Sequence, residues 1–144
     1  MGANQLSLDE ITGTIIDLSY KLHTALGPRL LESVYESVLA RDLVRRGLAV
    51  ERQTSISFEF DGLRFDDGLR VDLLVGSRVV VEIKSVEHLA PVHSKQVLTY
   101  LRLLKLPVGL LINFGALHLR DGFKRIVNGL DPEQSPALRA NRSR

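Results

Sequence analysis

The sequence predicts an α/β fold in which a mixed β-sheet is flanked by helices, with the elements in the order α-α-β-β-β-α-β. Three observations predict it. Two amphipathic helical segments come first, apolar segments with strand character follow, and a helix-length segment then precedes a short, nearly all-apolar segment. The final strand–helix–strand step predicts a right-handed parallel crossover, which places parallel and antiparallel strands in one sheet.

The two predicted N-terminal helices have recognisable ends. The first begins at the capping box Ser7-Leu8-Asp9-Glu10 and keeps apolar residues at helical spacing until Gly27-Pro28. The second runs from about Leu30 to Arg46, and Gly47 ends it because glycine readily adopts the conformation that follows a helix.

Strands and a third helix are predicted in the rest of the chain. Alternation predicts a strand from Ile56 to Phe60, and Asp61-Gly62 is typical of a tight turn into the next strand. A third helix is expected from Pro91 to about Lys105, and Val108 to Phe114 is typical of a buried strand. A weaker strand or two is expected within Leu117 to Val127.

The segment from Arg70 to Lys84 carries charged residues on an apolar hairpin pattern. Residues i and i+2 of a strand share a face, so Glu82 and Lys84 project together. Asp72 lies opposite Glu82 only if a three-residue loop is centred on Ser77, because a two-residue loop places the carboxylates on opposite faces. Opposed residues have Cβ atoms about 5 Å apart, and facing carboxylates repel unless a cation or proton lies between them. We therefore predict a divalent metal site here.

The same strands have an ordinary alternative. A Glu-x-Lys triplet arises by chance in about half of all chains of this length. The alternative is a solvated outer face, on which a Glu82–Lys84 ion pair contributes very little to stability.

Two polar-aromatic stripes on the predicted helices supply further candidate site residues. Glu32 and Tyr35 share a face of the second helix, and His93, Gln96 and Tyr100 share a face of the third. Each stripe also has a structural explanation. Glu32 suits a first turn, the tyrosines suit half-buried packing, and the other two residues suit an ordinary helix surface.

Length and composition indicate a soluble globular protein. With 144 residues, 44% hydrophobic and 25% charged, the chain suits one domain over residues 1–130, followed by a tail over 131–144 that we expect to be disordered. The absence of cysteine excludes disulfides, thiolate zinc sites and cysteine nucleophiles. No apolar run approaches the length of a membrane span, so we expect a cytoplasmic protein without a membrane partner.

The segment Gly27-Pro-Arg-Leu-Leu-Glu32-Ser-Val-Tyr35 resembles the signature of the GxxExxY protein family, a bacterial branch of the PD-(D/E)XK nuclease-like superfamily. The resemblance covers nearly the whole chain except its termini, and continues through Arg70-Val-Asp72, Glu82-Ile-Lys84, the segment Leu89 to Leu101 and the segment Gly109 to Gly115. Arg29 departs from it, because relatives often carry a glycine there. The stretch Asp66-Asp67-Gly68 also matches only loosely.

This resemblance implies a restriction-endonuclease-like core and a metal-dependent nuclease that hydrolyses phosphodiester bonds. Asp72, Glu82 and Lys84 would be the catalytic residues. Mg²⁺ or Mn²⁺ would be held by Asp72, Glu82, Glu32 and the backbone carbonyl of Ile83, since these hard ions prefer oxygen ligands. Lys84 would orient or help deprotonate the attacking water.

Gln96 and Tyr100 also resemble the Gln-x-x-x-Tyr element of RecB-like nucleases, which lies near bound DNA. Together with Tyr35 and His93, they would position the substrate or support the metal ligands. The implied partner is nucleic acid, with DNA ahead of RNA, and a homodimer is a further expectation. Two alternatives remain open: a non-catalytic nucleic-acid-binding or protein-interaction module that kept the fold, and an enzyme for a small phosphorylated or nucleotide substrate.

Overall fold

The computed structural model describes residues 6–129, so the tail predicted over residues 131–144 lies outside the described residues. Three helices and five strands follow one another within this range, with a 3₁₀ turn (Leu119–Gly122) before the last strand. Their bounds are α1 (Leu8–Leu26), α2 (Glu32–Arg45), β1 (Val50–Phe60), β2 (Leu63–Val75), β3 (Val79–Lys84), α3 (Pro91–Leu104), β4 (Val108–Asn113) and β5 (Phe123–Val127). None of these helices is both long enough and apolar enough to cross a membrane.

The five strands form a single mixed sheet in the order β1-β2-β3-β4-β5. All neighbours are antiparallel except β3 and β4, which are parallel and are connected through α3. The predicted α/β class, the mixed sheet and the order of the first seven elements are therefore confirmed, and β5 is the strand expected within Leu117 to Val127.

Apolar side chains cover the sheet from two sides. The cluster formed with α1 and α2 includes three alternate residues of β3, which are Val79, Val81 and Ile83. Val80 packs instead in the cluster formed with α3. Because alternate residues of a strand point to opposite faces, Glu82 and Lys84 continue the series of Val80 and project toward the α3 side.

The hairpin between β2 and β3 has the predicted register. Val75 pairs with Val79 and Leu73 pairs with Val81, so the loop consists of three residues centred on Ser77. Ser77 has a left-handed backbone with φ +56°, a conformation typical of such tight loops.

Helix α2 starts two residues later than the sequence predicts, because the segment before it is held by tertiary contacts. The hydroxyl group of Tyr35 donates a hydrogen bond to Gly27 O at 2.5 Å and accepts one from Leu30 N at 3.0 Å. The capping box that begins α1 is confirmed, since Ser7 Oγ accepts from Glu10 N at 3.1 Å.

The ribbon of β1 and β2 changes register near its outer end. Between the pairs Ile56–Leu69 and Phe58–Phe65, one residue of β1 faces three residues of β2, which are Asp66, Asp67 and Gly68. A Cβ atom on Gly68 would lie 2.2 Å from the Phe58 ring. The loosely matching stretch of the sequence is therefore a bulge that a phenylalanine ring covers.

Candidate active site

Asp72 and Glu82 meet where β2 and β3 separate. The paired residues of these strands end at Leu73 and Val81. Beyond that point Glu82 Oε1 accepts a hydrogen bond from the backbone N–H of Asp72 at 3.1 Å, and Asp72 Oδ2 accepts one from the N–H of Ile83 at 2.8 Å. Carboxylates therefore bond to the backbone between the two strands here, and the predicted proximity of Asp72 and Glu82 is confirmed.

Both β1 and β2 are locally irregular at the point where β2 and β3 separate. Gln53 has a left-handed backbone with φ +47° and lies, by the flanking pairs, opposite Asp72. The alternation of β2 also changes at Asp72, because Val71 and Leu74, three residues apart, pack in the same cluster with α3. A left-handed backbone at a residue other than glycine is uncommon, and such residues cluster at functional sites.

Glu82 is buried, and its electrostatic environment is unusual. The Glu82 residue is only 6% exposed to solvent. Burial, followed by the negative charge of Asp72, raises the pKa of Glu82 to about 8, although the hydrogen bond from Asp72 N–H and the charge of Lys84 act in the opposite direction. At pH 7 and without a bound cation, Glu82 therefore holds a proton for most of the time.

Lys84 and the Ile83 carbonyl belong to the end of β3 that carries Glu82. Lys84 is partly exposed, shares a strand face with Glu82, and pairs with Asn113 of β4 through the backbone. The N–H and C=O groups of one strand residue point to the same edge, so the Ile83 carbonyl points toward β2, as does the N–H that Asp72 binds. The roles of Lys84 and of the Ile83 carbonyl at the site stay predictions.

Glu32 begins α2 and is linked to the end of β3. Its Oε2 atom accepts a hydrogen bond from Ser85 N at 3.1 Å, and Ser85 Oγ donates to Leu30 O at 2.6 Å. Within residues 6–129, no group of three or more Asp, Glu, His or Cys side chains is arranged to hold a metal ion. Glu32 as a third carboxylate ligand beside Asp72 and Glu82 therefore stays a prediction.

Tyr35 lies in the core, beneath the loop that precedes Glu32. It is 0% exposed, and its ring stacks on Phe114 with a centroid distance of 4.3 Å. Its hydroxyl holds Gly27 and Leu30, as described above. A side chain without exposed surface cannot touch a substrate, so Tyr35 acts by holding the loop.

The three polar residues predicted on α3 have different surroundings. Gln96 Nε2 donates to the Tyr100 hydroxyl at 2.8 Å. Burial, and then the negative charge of Glu82, raises the pKa of Tyr100. His93 Nδ1 accepts a hydrogen bond from Ala90 N at 3.1 Å and caps the start of α3.

Two residues that the sequence interpretation missed contact the site. Gln53 Nε2 donates to Asp72 Oδ1 at 3.0 Å and to Glu36 Oε1 at 2.6 Å. Glu36 is 6% exposed and also accepts from Arg52 Nε at 3.2 Å. The four-residue spacing from Glu32 to Glu36 places both on one helix face and was an available signal, whereas nothing in the sequence indicates the turn at Gln53.

Arg29, in the loop before α2, has a left-handed backbone with φ +67°. Its Nε atom donates to Gly115 O at 3.3 Å, and its guanidinium lies 3.7 Å from the Glu87 carboxylate. A glycine would adopt this backbone conformation without strain.

Comparison with known proteins is consistent with this geometry. The family described as the PD-(D/E)XK nuclease superfamily matches residues 9–126, a range that includes the acidic pair, Lys84 and the polar residues of α3. No curated protein matches the sequence. PD-(D/E)XK nucleases generally use divalent metal ions, and their restriction-endonuclease-like domain agrees with the α/β architecture found here. The chain therefore belongs to the PD-(D/E)XK nuclease superfamily.

Proposed function

We propose that this protein is a metal-dependent nuclease of the GxxExxY branch, which hydrolyses phosphodiester bonds of nucleic acid. The observation that carries the proposal is the pairing of Asp72 with the buried Glu82, in which the Glu82 carboxyl accepts from the Asp72 N–H and the Asp72 carboxyl accepts from the N–H of Ile83, the residue after Glu82. Such a pair is electrostatically costly unless a proton or a cation lies beside it. In a member of a nuclease superfamily, a divalent cation is the functional candidate.

The residues suit Mg²⁺ or Mn²⁺. The candidate ligands, Asp72, Glu82 and the Ile83 carbonyl, offer only oxygen atoms, which these hard ions prefer to nitrogen or sulfur. The raised pKa of Glu82 also indicates that the site favours added positive charge. Glu32 is the proposed additional ligand, because it reaches the backbone of Ser85, two residues beyond Ile83.

The bound ion and several side chains would have separate roles in the hydrolysis. When bound, the ion would polarise the phosphoryl oxygen and stabilise the leaving oxygen. Lys84, as an ammonium, would orient the attacking water and offset the charge of the phosphate. Gln96 and Tyr100, which are hydrogen-bonded to each other on α3, would position the nucleic-acid strand. Tyr35 and His93 would support the site through the loop before α2 and the start of α3.

The remaining parts of the proposal concern the partner and the location. DNA ranks ahead of RNA through the resemblance of Gln96 and Tyr100 to the element of RecB-like nucleases. A homodimer would allow two strands to be cut by paired protomers. The cysteine-free composition is compatible with a reducing cytoplasm, which we propose as the location.

A cleavage assay with matched variants tests the proposal. Purified protein is incubated with end-labelled single- and double-stranded DNA and RNA, with Mg²⁺, with Mn²⁺ or with a chelator. We expect metal-dependent cleavage that falls by about 100-fold or more in Asp72→Asn and Lys84→Ala, in line with the loss of electrostatic stabilisation. Lys21→Ala is the matched control, because Lys21 is an exposed residue of α1 whose ion pair with Asp17 contributes little.

Two outcomes would contradict the proposal. Equal cleavage by the wild type and both site variants would show that the activity comes from a contaminant. Salt-sensitive binding of oligonucleotides without turnover, in either metal, would instead support the non-catalytic module. The wild-type and variant proteins must give the same thermal unfolding profile within a few degrees, so that loss of activity is not loss of folding.

A further inference from the structure

We propose that Gln53 is a positioning residue for Asp72, and that Glu36 of α2 fixes Gln53 in turn. This inference rests on the proposed function, because it concerns how the metal-binding carboxylate is held.

Two hydrogen bonds hold the Asp72 carboxylate. Gln53 Nε2 donates to Oδ1 at 3.0 Å, while Ile83 N donates to Oδ2 at 2.8 Å. Each oxygen is therefore held from a different neighbouring strand, which fixes the rotation of the carboxylate about its Cβ–Cγ bond. The remaining lone pairs are left for a further partner on the side of Glu82.

Both hydrogens of the Gln53 side-chain amide are donated to carboxylates. An NH₂ group carries two hydrogens, and here one is donated to Asp72 and the other to Glu36 Oε1 at 2.6 Å. Glu36 is itself buried and held by Arg52 Nε at 3.2 Å, so it offers a fixed acceptor. These contacts fix the orientation of the amide, because its carbonyl oxygen could not replace either bond to a carboxylate.

The backbone of Gln53 is left-handed, with φ +47°. This conformation is uncommon for a residue other than glycine, asparagine or aspartate, and it persists where surrounding contacts hold it. In a regular strand, the backbone of Gln53 would follow the ladder and its side chain would take the ordinary alternating direction. The turn directs the amide into the space between Glu36 and Asp72.

Helix α2 is hydrogen-bonded to residues on both sides of Asp72 and Glu82. Glu36 reaches Asp72 of β2 through Gln53, and Glu32, one turn earlier in α2, binds Ser85 just beyond β3. Helix α2 thus contacts the strands on both sides of the acidic pair. Loss of the Gln53 bridge would leave the Asp72 carboxylate held by the Ile83 N–H alone.

The experiment compares Gln53→Glu and Gln53→Gly with the wild type. Glutamate keeps the shape of the side chain but removes both donors, and glycine removes the side chain without straining the left-handed backbone. Ser55→Glu, two residues along the same strand, is the control for an added negative charge. Three quantities are measured: amide hydrogen exchange at Ile83 in the metal-free protein, Mn²⁺ affinity by calorimetry, and kcat and KM for oligonucleotide cleavage.

In both Gln53 variants we expect exchange at Ile83 to be at least about tenfold faster, because Asp72 no longer holds its N–H, and Mn²⁺ affinity to fall by about 10- to 100-fold. We expect kcat to fall by a similar factor while KM changes less than about threefold. Ser55→Glu should match the wild type. Unchanged Ile83 exchange and Mn²⁺ affinity in Gln53→Gly would overturn the positioning role. If the wild type neither binds Mn²⁺ nor cleaves, the proposed function fails, and Ile83 exchange alone then decides the role of Gln53.

Discussion

Glu82 Oε1 accepts a hydrogen bond from the backbone N–H of Asp72 at 3.1 Å, so the buried carboxyl group binds the strand that carries its acidic neighbour. Burial and the charge of Asp72 both disfavour the ionised form of Glu82, while this hydrogen bond favours it. The balance makes the charge of Glu82 dependent on pH near neutrality, which leads to two predictions.

The first prediction concerns stability in the absence of metal. The pKa of Glu82 is raised from 4.5 to about 8, so the folded protein binds a proton that the unfolded chain releases between these values. The free energy of unfolding should therefore fall as pH rises from about 4.5 to 8, by at most about 1.4 kcal/mol per pH unit from this group. Glu82→Gln should remove this slope. Urea unfolding from pH 5 to 9 with a chelator measures it, and parallel profiles for both proteins would contradict it.

The second prediction concerns metal binding. A cation held by Glu82 must displace the proton, so Mn²⁺ affinity should rise by up to about tenfold per pH unit between pH 6 and 8 and level off above the pKa of about 8. Calorimetry in two buffers of different ionisation enthalpy should show release of a proton below that pKa. An affinity that stays constant between pH 6 and 8 would contradict this coupling.

The third prediction separates the hydroxyl of Tyr35 from its ring. Tyr35→Phe keeps the stack on Phe114 but removes the hydrogen bonds to Gly27 and Leu30. We expect a loss of about 1–2 kcal/mol in the free energy of unfolding. Tyr20→Phe is the control, because Tyr20 is 39% exposed, and it should change stability by less than about 0.5 kcal/mol. Equal effects of the two substitutions would contradict the role of the Tyr35 hydroxyl.

The fourth prediction uses two glycines with opposite surroundings. A Cβ atom on Gly109 would lie 2.8 Å from Val97 Cγ1, so Gly109→Ala should destabilise the protein by about 1–3 kcal/mol through overpacking of α3 against β4. Gly13 in α1 has nothing within 4 Å of such an atom, and Gly13→Ala should stabilise the helix by about 0.5–1 kcal/mol. Thermal unfolding of both variants measures the difference, and the same sign for both would contradict it.

The fifth prediction isolates the backbone strain at Arg29. Arg29→Ala and Arg29→Gly both remove the contacts with Gly115 and Glu87, but only glycine adopts a φ of +67° without strain. We expect the glycine variant to be more stable than the alanine variant by about 1 kcal/mol in chemical unfolding. An alanine variant that is as stable as the glycine variant would show that the left-handed conformation carries no strain.

The fold was predictable where local patterns determine it. The period of two in β2 and β3, together with the requirement that Asp72 oppose Glu82, leads to the loop centred on Ser77. The start of β1 was not predictable in the same way. Its first residues, Val50 to Ser55, are mostly polar because β1 lies at an edge of the sheet, so no apolar alternation marks them.

The sequence indicates the acidic pair and Lys84 of the candidate site more directly than its supporting contacts. Charged residues on an apolar strand are visible in a sequence, whereas the contact of Gln53 with Asp72 depends on a left-handed residue and on a helix that lies 17 residues earlier in the chain at Glu36. The deep burial of Tyr35 depends likewise on tertiary packing against Phe114, which lies far away in sequence. Patterns of period two or 3.6 carry no information on such contacts.

The hairpin register of β2 and β3 has a consequence for how the protein folds. Asp72 and Glu82 are ten residues apart, so the chain loses little conformational entropy when the loop between them closes. The parallel pairing of β3 with β4 must instead wait for the intervening helix, and such non-local pairing is slow. We expect the two carboxyl groups to meet early in folding, and the mutual repulsion of these groups to slow that step more at alkaline than at acidic pH.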